Sequence, residues 1–446
     1  MGAPRWRALA PVAAAVAVAA LRFATRAHGP DSWDAVGFLR AVDDFDLARF
    51  QPHFPGYAVY VALCKIVRSP ELVSAIATGA TALALFRLGG WVALALWAGA
   101  LQPWLTGGAA LADATAVAFA AAAFAALTFP GARAVVLAAA AIALAIGTRV
   151  SYWPLALSFA VVVVRVRPQN ERRAALAAFA AATLAWLVPF VAAVGPRALV
   201  VLGRTHLVGH FADWGGAVTT RPDLAARLAA FARDLVYDGI WPDRFALGAA
   251  LAGCAILCWP WRRPSAVGVI VVVPYALWAL LAQNVLEQPR HLLPLVAALC
   301  VAVGRAAARS RRGLVVGAAL AALAFAASAP LVIHRGPPAA VVVAERVAAR
   351  WPGRDQVIVF ARRSARLMSA AVPAVRVQTA DATSDILPQL ERLARLPPNI
   401  LFVAEELADD DPAASASADD GLHFCRDPRV DRQSTCVTLR SYKLAK

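Results

Sequence analysis

Residues 31–57 read DSWDAVGFLRAVDDFDLARFQPHFPGY. The stretch gathers Asp31, Asp34, Asp43, Asp44 and Asp46, then Gln51, Pro52, His53, Pro55, Gly56 and Tyr57. It follows the first apolar run of the chain, and about ten further runs come after it. A loop this polar between runs this apolar is the segment where chemistry is expected, with the rest as a scaffold that presents it at a membrane surface.

Composition sets the scaffold. Of 446 residues, 60% are hydrophobic and 16% charged, and the mean hydropathy is +0.61. A soluble domain is nearer one quarter charged. Apolar runs lie near 8–24, 71–87, 89–103, 112–128, 133–148, 151–165, 174–194, 246–261, 265–284, 291–305 and 314–333. Several fall short of the roughly 20 residues of a full crossing, so tilted or broken spans are expected. Residues 5–24 have a basic start and an apolar stretch, but no small-residue cleavage site precedes the aspartates, so they read as a first transmembrane helix. Residues 58–67, apolar but bounded by Gly56 and Pro70, suit a re-entrant or juxtamembrane helix. The fold class expected is an all-α polytopic membrane bundle of about 11 transmembrane helices, with a small C-terminal α/β domain.

The net charge of +16 would suggest nucleic acid in a soluble chain. Here the arginines sit in short loops, so they report orientation and no nucleic-acid partner is expected. With the N-terminus inside and 58–67 not crossing, RVRPQNERR (165–173), WRR (261–263) and RAAARSRR (305–312) fall on the cytoplasmic side. Loops 25–70 and 195–245 and the tail after 334 then fall outside. Arg22 and Arg26, at the outer end of the first run, run against this sidedness. The setting expected is a bacterial plasma (inner) membrane.

The loop 195–245 predicts one or two amphipathic surface helices, clearest at 222–236, either anchoring at the interface or covering a substrate as a lid. From 335 the pattern turns to short strands at 356–360, 374–378, 399–404 and 435–443, with helices near 361–370 and 384–396. An acidic loop follows at 409–420 (DDDPAASASADD). The chain thus divides into a transmembrane domain, 1–334, and an extracytoplasmic domain, 335–446. Cys64, Cys254, Cys258 and Cys300 lie in apolar runs and read as packing residues. Cys425 and Cys436 are placed to form a disulfide if the tail is extracytoplasmic.

A partly desolvated carboxylate at a membrane surface can serve as a general base, and guanidinium groups beside it can hold a phosphate. Asp31 follows the first run and Asp113 opens the run at 112. Arg149 (GTRVSYWP) and Arg290 (EQPRHLLP) lie at outer run ends. Each also has an ordinary role: Asp31, Asp34 or Asp113 as a helix cap, Arg149 and Arg290 as snorkelling groups, His53 as a turn residue, and Asp43, Asp44 and Asp46 as a solvated cluster. Their joint occurrence on one side is the stronger signal.

In order, spacing and sidedness these segments resemble the GT-C superfamily of polytopic glycosyltransferases, in the protein mannosyltransferase and lipid A aminoarabinose transferase branch. The resemblance covers roughly 1–305. It rests on Asp31 in PDSWDAVGFLRAV, on QPHFPGYAVYVAL, on Asp113, on Thr148-Arg149-Val150 and on Arg290-His291-Leu292-Leu293-Pro294. Ser32 stands where the family has a second carboxylate, Val150 where it has proline, and His291 where it has tyrosine. The resemblance implies an inverting transfer of one sugar from a polyprenyl-phosphate carrier to an extracytoplasmic lipid, glycan or protein acceptor. It makes Asp31 the base, with Asp34 the alternative. Asp113 would support the acceptor or an optional divalent metal ion, and Arg149 and Arg290 would hold the carrier phosphate. His53, Tyr57 and His291 are placed in the substrate site. The rival readings are a transporter or flippase of a lipid-linked sugar, and a non-catalytic assembly protein of the same fold.

Overall fold

The computed structural model describes residues 6–258, 266–353, 357–362, 364–379, 401–405, 422–432 and 435–442. The chain forms two compact units: Met1–Arg26 with Phe38–His334, and Ala27–Gly37 with Arg335–Lys446.

The first unit is helical. Its elements are α1 (Trp6–Ala24), the later part of α2 (Trp33–Asp43), α3 (Ala58–Val67), α4 (Pro70–Gly99), α5 (Leu101–Gly107), α6 (Ala112–Ala126) and α7 (Ala132–Thr148). There follow α8 (Trp153–Val166), α9 (Gln169–Val194), α10 (Pro196–Val208), α11 (Leu224–Ala232), α12 (Arg244–Cys258), α13 (Ala266–Ala282), α14 (Leu293–Ala307) and α15 (Arg311–Ile333). Four described stretches have both the length and the apolarity to cross a membrane: α4, α9, 289–307 and α15. A fifth is α5 with α6 taken together, bent by 115°. Shorter apolar helices fill the rest of the bundle.

α4 owes its length to a fold-back. Gly90 sits inside it at φ 77°, a backbone region glycine enters without a Cβ clash. Trp97 Nε1 donates to Thr78 O at 3.1 Å. In a straight helix those residues would stand about 28 Å apart at 1.5 Å per residue. The arms 70–89 and 91–99 therefore run back along each other. Small residues permit the close crossings: a Cβ at Gly79 would lie 2.5 Å from Ala15 O on α1, the pattern of tight helix packing in membranes.

Arg22 is fully buried rather than exposed at the end of α1. Its guanidinium donates to Ala98 O at 2.5 Å and stacks over Trp104 at 4.5 Å. It serves carbonyls at the end of α4.

Within 38–57, Phe38 packs edge-on against Tyr57 and Tyr60 at 4.9 and 5.0 Å. The aspartates here are exposed ion pairs: Asp43 with Arg68 at 2.6 Å, Asp44 with Arg49 at 2.7 Å and Asp46 with Arg49 at 2.6 Å. They form the solvated cluster. α3 is fenced by left-handed residues at both ends, Tyr57 at φ 50° and Arg68 at φ 61°, which keeps it to ten residues.

The second unit is a mixed sheet with helices: α16 (Ala339–Arg350), β1 (Val357–Ala361), α17 (Ala365–Ala371), β2 (Arg376–Thr379), β3 (Leu401–Glu405), β4 (His423–Cys425) and β5 (Cys436–Tyr442). The strand order is β2-β1-β3-β5-β4. β1 pairs in parallel with β2 and β3, whereas β5 is antiparallel to β3 and β4. β1 is buried at every position, the reason its sequence VIVFA is apolar without alternation. Val36, on the opening turns of α2, belongs to this core with Val343, Val359 and Met368. The strands expected near 356–360, 374–378, 399–404 and 435–443 and the helix near 361–370 are present. The helix expected at 384–396 and the acidic loop at 409–420 lie outside the described residues. Cys425 and Cys436 are joined, Sγ–Sγ 2.03 Å.

Candidate active site

In the first unit, Asp113 opens α6 and is 1% exposed. Its Oδ2 accepts from Arg149 Nη1 at 3.0 Å and lies 3.8 Å from Arg290 Nε. Three of the residues selected from sequence, more than 170 positions apart at the extremes by their numbering, thus form one buried ion cluster. Charged side chains are almost never buried unless paired. With one carboxylate and two guanidinium groups, the cluster keeps one positive charge.

The same local device delivers both arginines. Arg149 is the residue past α7, in extended conformation (φ −151°, ψ 104°), and a single 3₁₀ turn, Val150–Tyr152, leads into α8 with Pro154 at its start. Arg290 rides on the 3₁₀ turn Pro289–Leu292, which leads into α14 with Pro294 at its start. Proline is suited to a first helical turn because its missing N–H is unpaired there anyway. The two turns are braced: Arg149 Nε donates to Ser151 Oγ at 3.1 Å, Tyr275 Oη donates to His291 O at 2.9 Å, and Tyr152 meets Tyr275 edge-on at 5.5 Å. Ser151, Tyr152 and Tyr275 were not singled out from sequence; the prolines after each basic residue were the signal that these turns matter.

His53 and Tyr57 adjoin this cluster. Tyr57 Oη and His53 Nε2 are 2.7 Å apart, and Tyr57 is within electrostatic reach of Arg149. Holding Tyr57 at φ 50° costs on the order of 1–3 kcal/mol for a non-glycine residue. The packing of its ring on Phe38 and the bond to His53 offset that cost. From His53 a column of imidazoles continues: His53 stacks on His206 at 6.4 Å and His206 on His210 at 6.0 Å. Burial first, then the neighbouring His53 and His210, push His206 down to about 4, so it is neutral at pH 7.

His206 and His210 belong to the loop 195–245, which forms α10, α11 and two π-turns, at 209–213 and 233–237. The helix expected most clearly at 222–236 corresponds to α11. The loop is tied to the end of α13 by Arg227, which donates to Leu280 O, Gly216 O and Gln283 O at 2.8, 2.6 and 2.7 Å. His210 Nε2 adds a contact to Ala282 O at 2.7 Å. These side chains satisfy helix-end carbonyls that have no partner within the helix. They also fix the chain that leads to Arg290.

Asp31 and Asp34 lie in the second unit. Asp31 Oδ2 is 3.8 Å from Arg335 Nη1. The cap of α2 is neither aspartate: Ser32 Oγ accepts from Ala35 N at 3.2 Å, and Asp34 stands in the first turn. Arg335 was missed from sequence because it lies beyond the last apolar run.

A divalent metal ion is not favoured by the donors. Asp113 Oδ2 already faces two guanidinium groups, and a cation there would be repelled by both. The one cluster of three metal-type donors among the described residues is His423, Cys425 and Cys436, and its two sulfurs are spent in the disulfide.

No family model and no curated protein match the chain. Solved structures do. ArnT from Cupriavidus metallidurans bound to undecaprenyl phosphate matches at 14% identity and TM-score 0.57, over 100% of this chain and 99% of that one. The same protein in the apo state matches at 14% identity and TM-score 0.55, over 98% of each chain. Arabinofuranosyltransferase AftD from Mycobacteria is similar at 16% identity and TM-score 0.44, over 91% of this chain and 35% of that one. The chain shares the fold of ArnT over its whole length.

Proposed function

We propose that this protein moves a sugar from a polyprenyl-phosphate carrier to a hydroxyl-bearing acceptor at the outer face of a bacterial inner membrane. The observation that carries the reading is the buried Asp113–Arg149–Arg290 cluster, whose surplus positive charge suits one phosphate. Asp113 Oδ1 and the hydroxyls of Thr115 and Thr148 are buried without a hydrogen-bond partner among the described residues. Such groups cost about 1–3 kcal/mol each when left unpaired, and a bound headgroup would supply partners. That the fold is shared with a protein crystallised with undecaprenyl phosphate supports the same donor class.

In the reaction, the acceptor oxygen attacks the anomeric carbon. The bond from that carbon to the carrier phosphate oxygen breaks, and its electron pair leaves with the phosphate. The acceptor proton passes to Asp31, the base that the sequence resemblance assigns, and a single displacement inverts the anomeric configuration. Arg149 and Arg290 offset the charge that grows on the departing phosphate. Asp113, facing both guanidinium groups, has the part of orienting them. His53 and Tyr57 contribute a hydrogen-bonding wall beside Arg149.

The test is transfer by the purified protein from a panel of polyprenyl-phosphate sugars to mixed acceptors, with products identified by mass spectrometry. Asp31→Asn is expected to lower transfer by about a hundredfold to ten-thousandfold, to a small residual rate, while leaving carrier binding intact. Carrier binding with no transfer by the native protein across the panel would favour a transporter. Transfer undiminished by both Asp31→Asn and Asp34→Asn would remove the base from the scheme.

A further inference from the structure

Asp31 sits in the second unit, in the turn before α2, with a side chain 17% exposed; its ion partner Arg335 is 6% exposed. Arg335 follows the last helix of the bundle, and its own backbone is gripped. Arg426 Nε donates to Arg335 O at 3.0 Å, and Arg426 Nη2 donates to Gly336 O at 2.8 Å. Arg426 Nη1 is 3.9 Å from Asp431 Oδ2. Arg426 is fixed in turn: its backbone N–H donates to Thr435 O at 2.7 Å, and the preceding Cys425 is bonded to Cys436. A hairpin closed by a disulfide thus holds Arg426, Arg426 holds the backbone of Arg335, and Arg335 faces Asp31. Burial lowers both guanidinium groups from their ordinary range, and the charge of Asp31 opposes that in both.

We propose that Arg335 and Arg426 are positioning residues for Asp31, and that the Cys425–Cys436 hairpin keeps them in place. The inference rests on the reading of Asp31 as base and extends the working machinery into the C-terminal unit. The 3.8 Å separation is too long for a direct hydrogen bond. The guanidinium therefore attracts the carboxylate without occupying its lone pairs, which stay available to an acceptor hydroxyl. Arg426 acts one step further back, through the two carbonyls it binds.

The test measures steady-state transfer by the full-length protein. Arg335→Gln is expected to lower kcat on the order of tenfold to hundredfold, the scale of a misplaced reacting group, with the KM for the polyprenyl-phosphate donor little changed. Arg335→Lys recovers most of the loss. In an Asp31→Asn background, Arg335→Gln lowers the residual rate no further, because residues that act as a unit are not additive. If Arg335→Gln does not fold, Arg426→Lys, which keeps the charge but loses the paired carbonyl bonds, goes through the same cycle. Equal effects in both backgrounds, or an unchanged kcat, overturn the inference and leave the sugar-transfer reading standing. Absence of transfer by the native protein defeats both.

Discussion

Asp113→Asn is the most informative single change in the first unit. The native carboxylate is 1% exposed and lies 3.0 and 3.8 Å from two guanidinium groups. The substitution keeps shape and one carbonyl oxygen but removes the charge that pairs them. Each attraction is worth about 4 kcal/mol at 4 Å with an effective dielectric of 20. Much of that is set against desolvation already incurred, and breaking a buried pair from one side costs about 3–5 kcal/mol. At about 2 °C per kcal/mol for a domain of this size, the midpoint of thermal unfolding should fall by about 6–10 °C. The assay is tryptophan fluorescence in detergent, with and without undecaprenyl phosphate. Because a phosphate replaces the missing negative charge, the carrier should raise the midpoint of the variant more than that of the native protein. Adding Arg149→Met to Asp113→Asn should restore part of the lost stability, since one unpaired guanidinium is removed with the carboxylate. A variant within 2 °C of native, or one whose deficit the carrier leaves untouched, would refute the reasoning.

Three further outcomes are expected. Tyr57→Phe removes the bond to His53 Nε2 and should cost about 1 kcal/mol of stability, with a larger loss in kcat/KM than Tyr237→Phe, which changes a tyrosine of the 195–245 loop; equal kinetics for the two would place Tyr57 outside the site. His206 titrates near 4 when folded against about 6.5 when unfolded. The unfolded chain therefore binds the extra proton between those values, so stability rises with pH across that window and falls as pH drops through it. Discounted for its partial exposure, the effect is about 1–2 kcal/mol; His206→Gln should flatten thermal midpoints between pH 4 and 6.5, and an unchanged slope would refute it. Replacing Cys425 and Cys436 by serine opens a short loop, the cysteines standing 11 positions apart. It should destabilise the second unit by about 3 kcal/mol, read as faster proteolysis of the tail, with the helical unit unaffected.

The helical architecture was legible because long apolar runs admit few alternatives, and the arginine-rich loops fixed the expected sidedness. The fold-back in α4 at Gly90 is seen only in the structure, through the Thr78–Trp97 bond. Arg149 and Arg290 were legible as basic residues at the ends of apolar runs and through the family resemblance of the segments that carry them. What the sequence did not carry was partnership. That Asp113 binds both arginines depends on how α6, α7 and α14 pack, and no spacing within a run encodes that. Arg22 reads as an exposed flank from its place at the end of α1, yet it is wholly buried, because the carbonyls that accept from it come from the far arm of α4. Arg335 and Arg426 were missed for the same reason: they stand 304 and 395 positions beyond Asp31 in the chain.

The measurement closest to the central claim is equilibrium binding of undecaprenyl phosphate to the purified protein, by native mass spectrometry across a titration. The native protein should retain one carrier per chain, and Arg149→Met with Arg290→Met should lose it by a factor of a hundred or more, on the order of 3 kcal/mol. Equal retention by the doubly substituted protein would contradict the assignment of the Asp113–Arg149–Arg290 cluster as the phosphate seat.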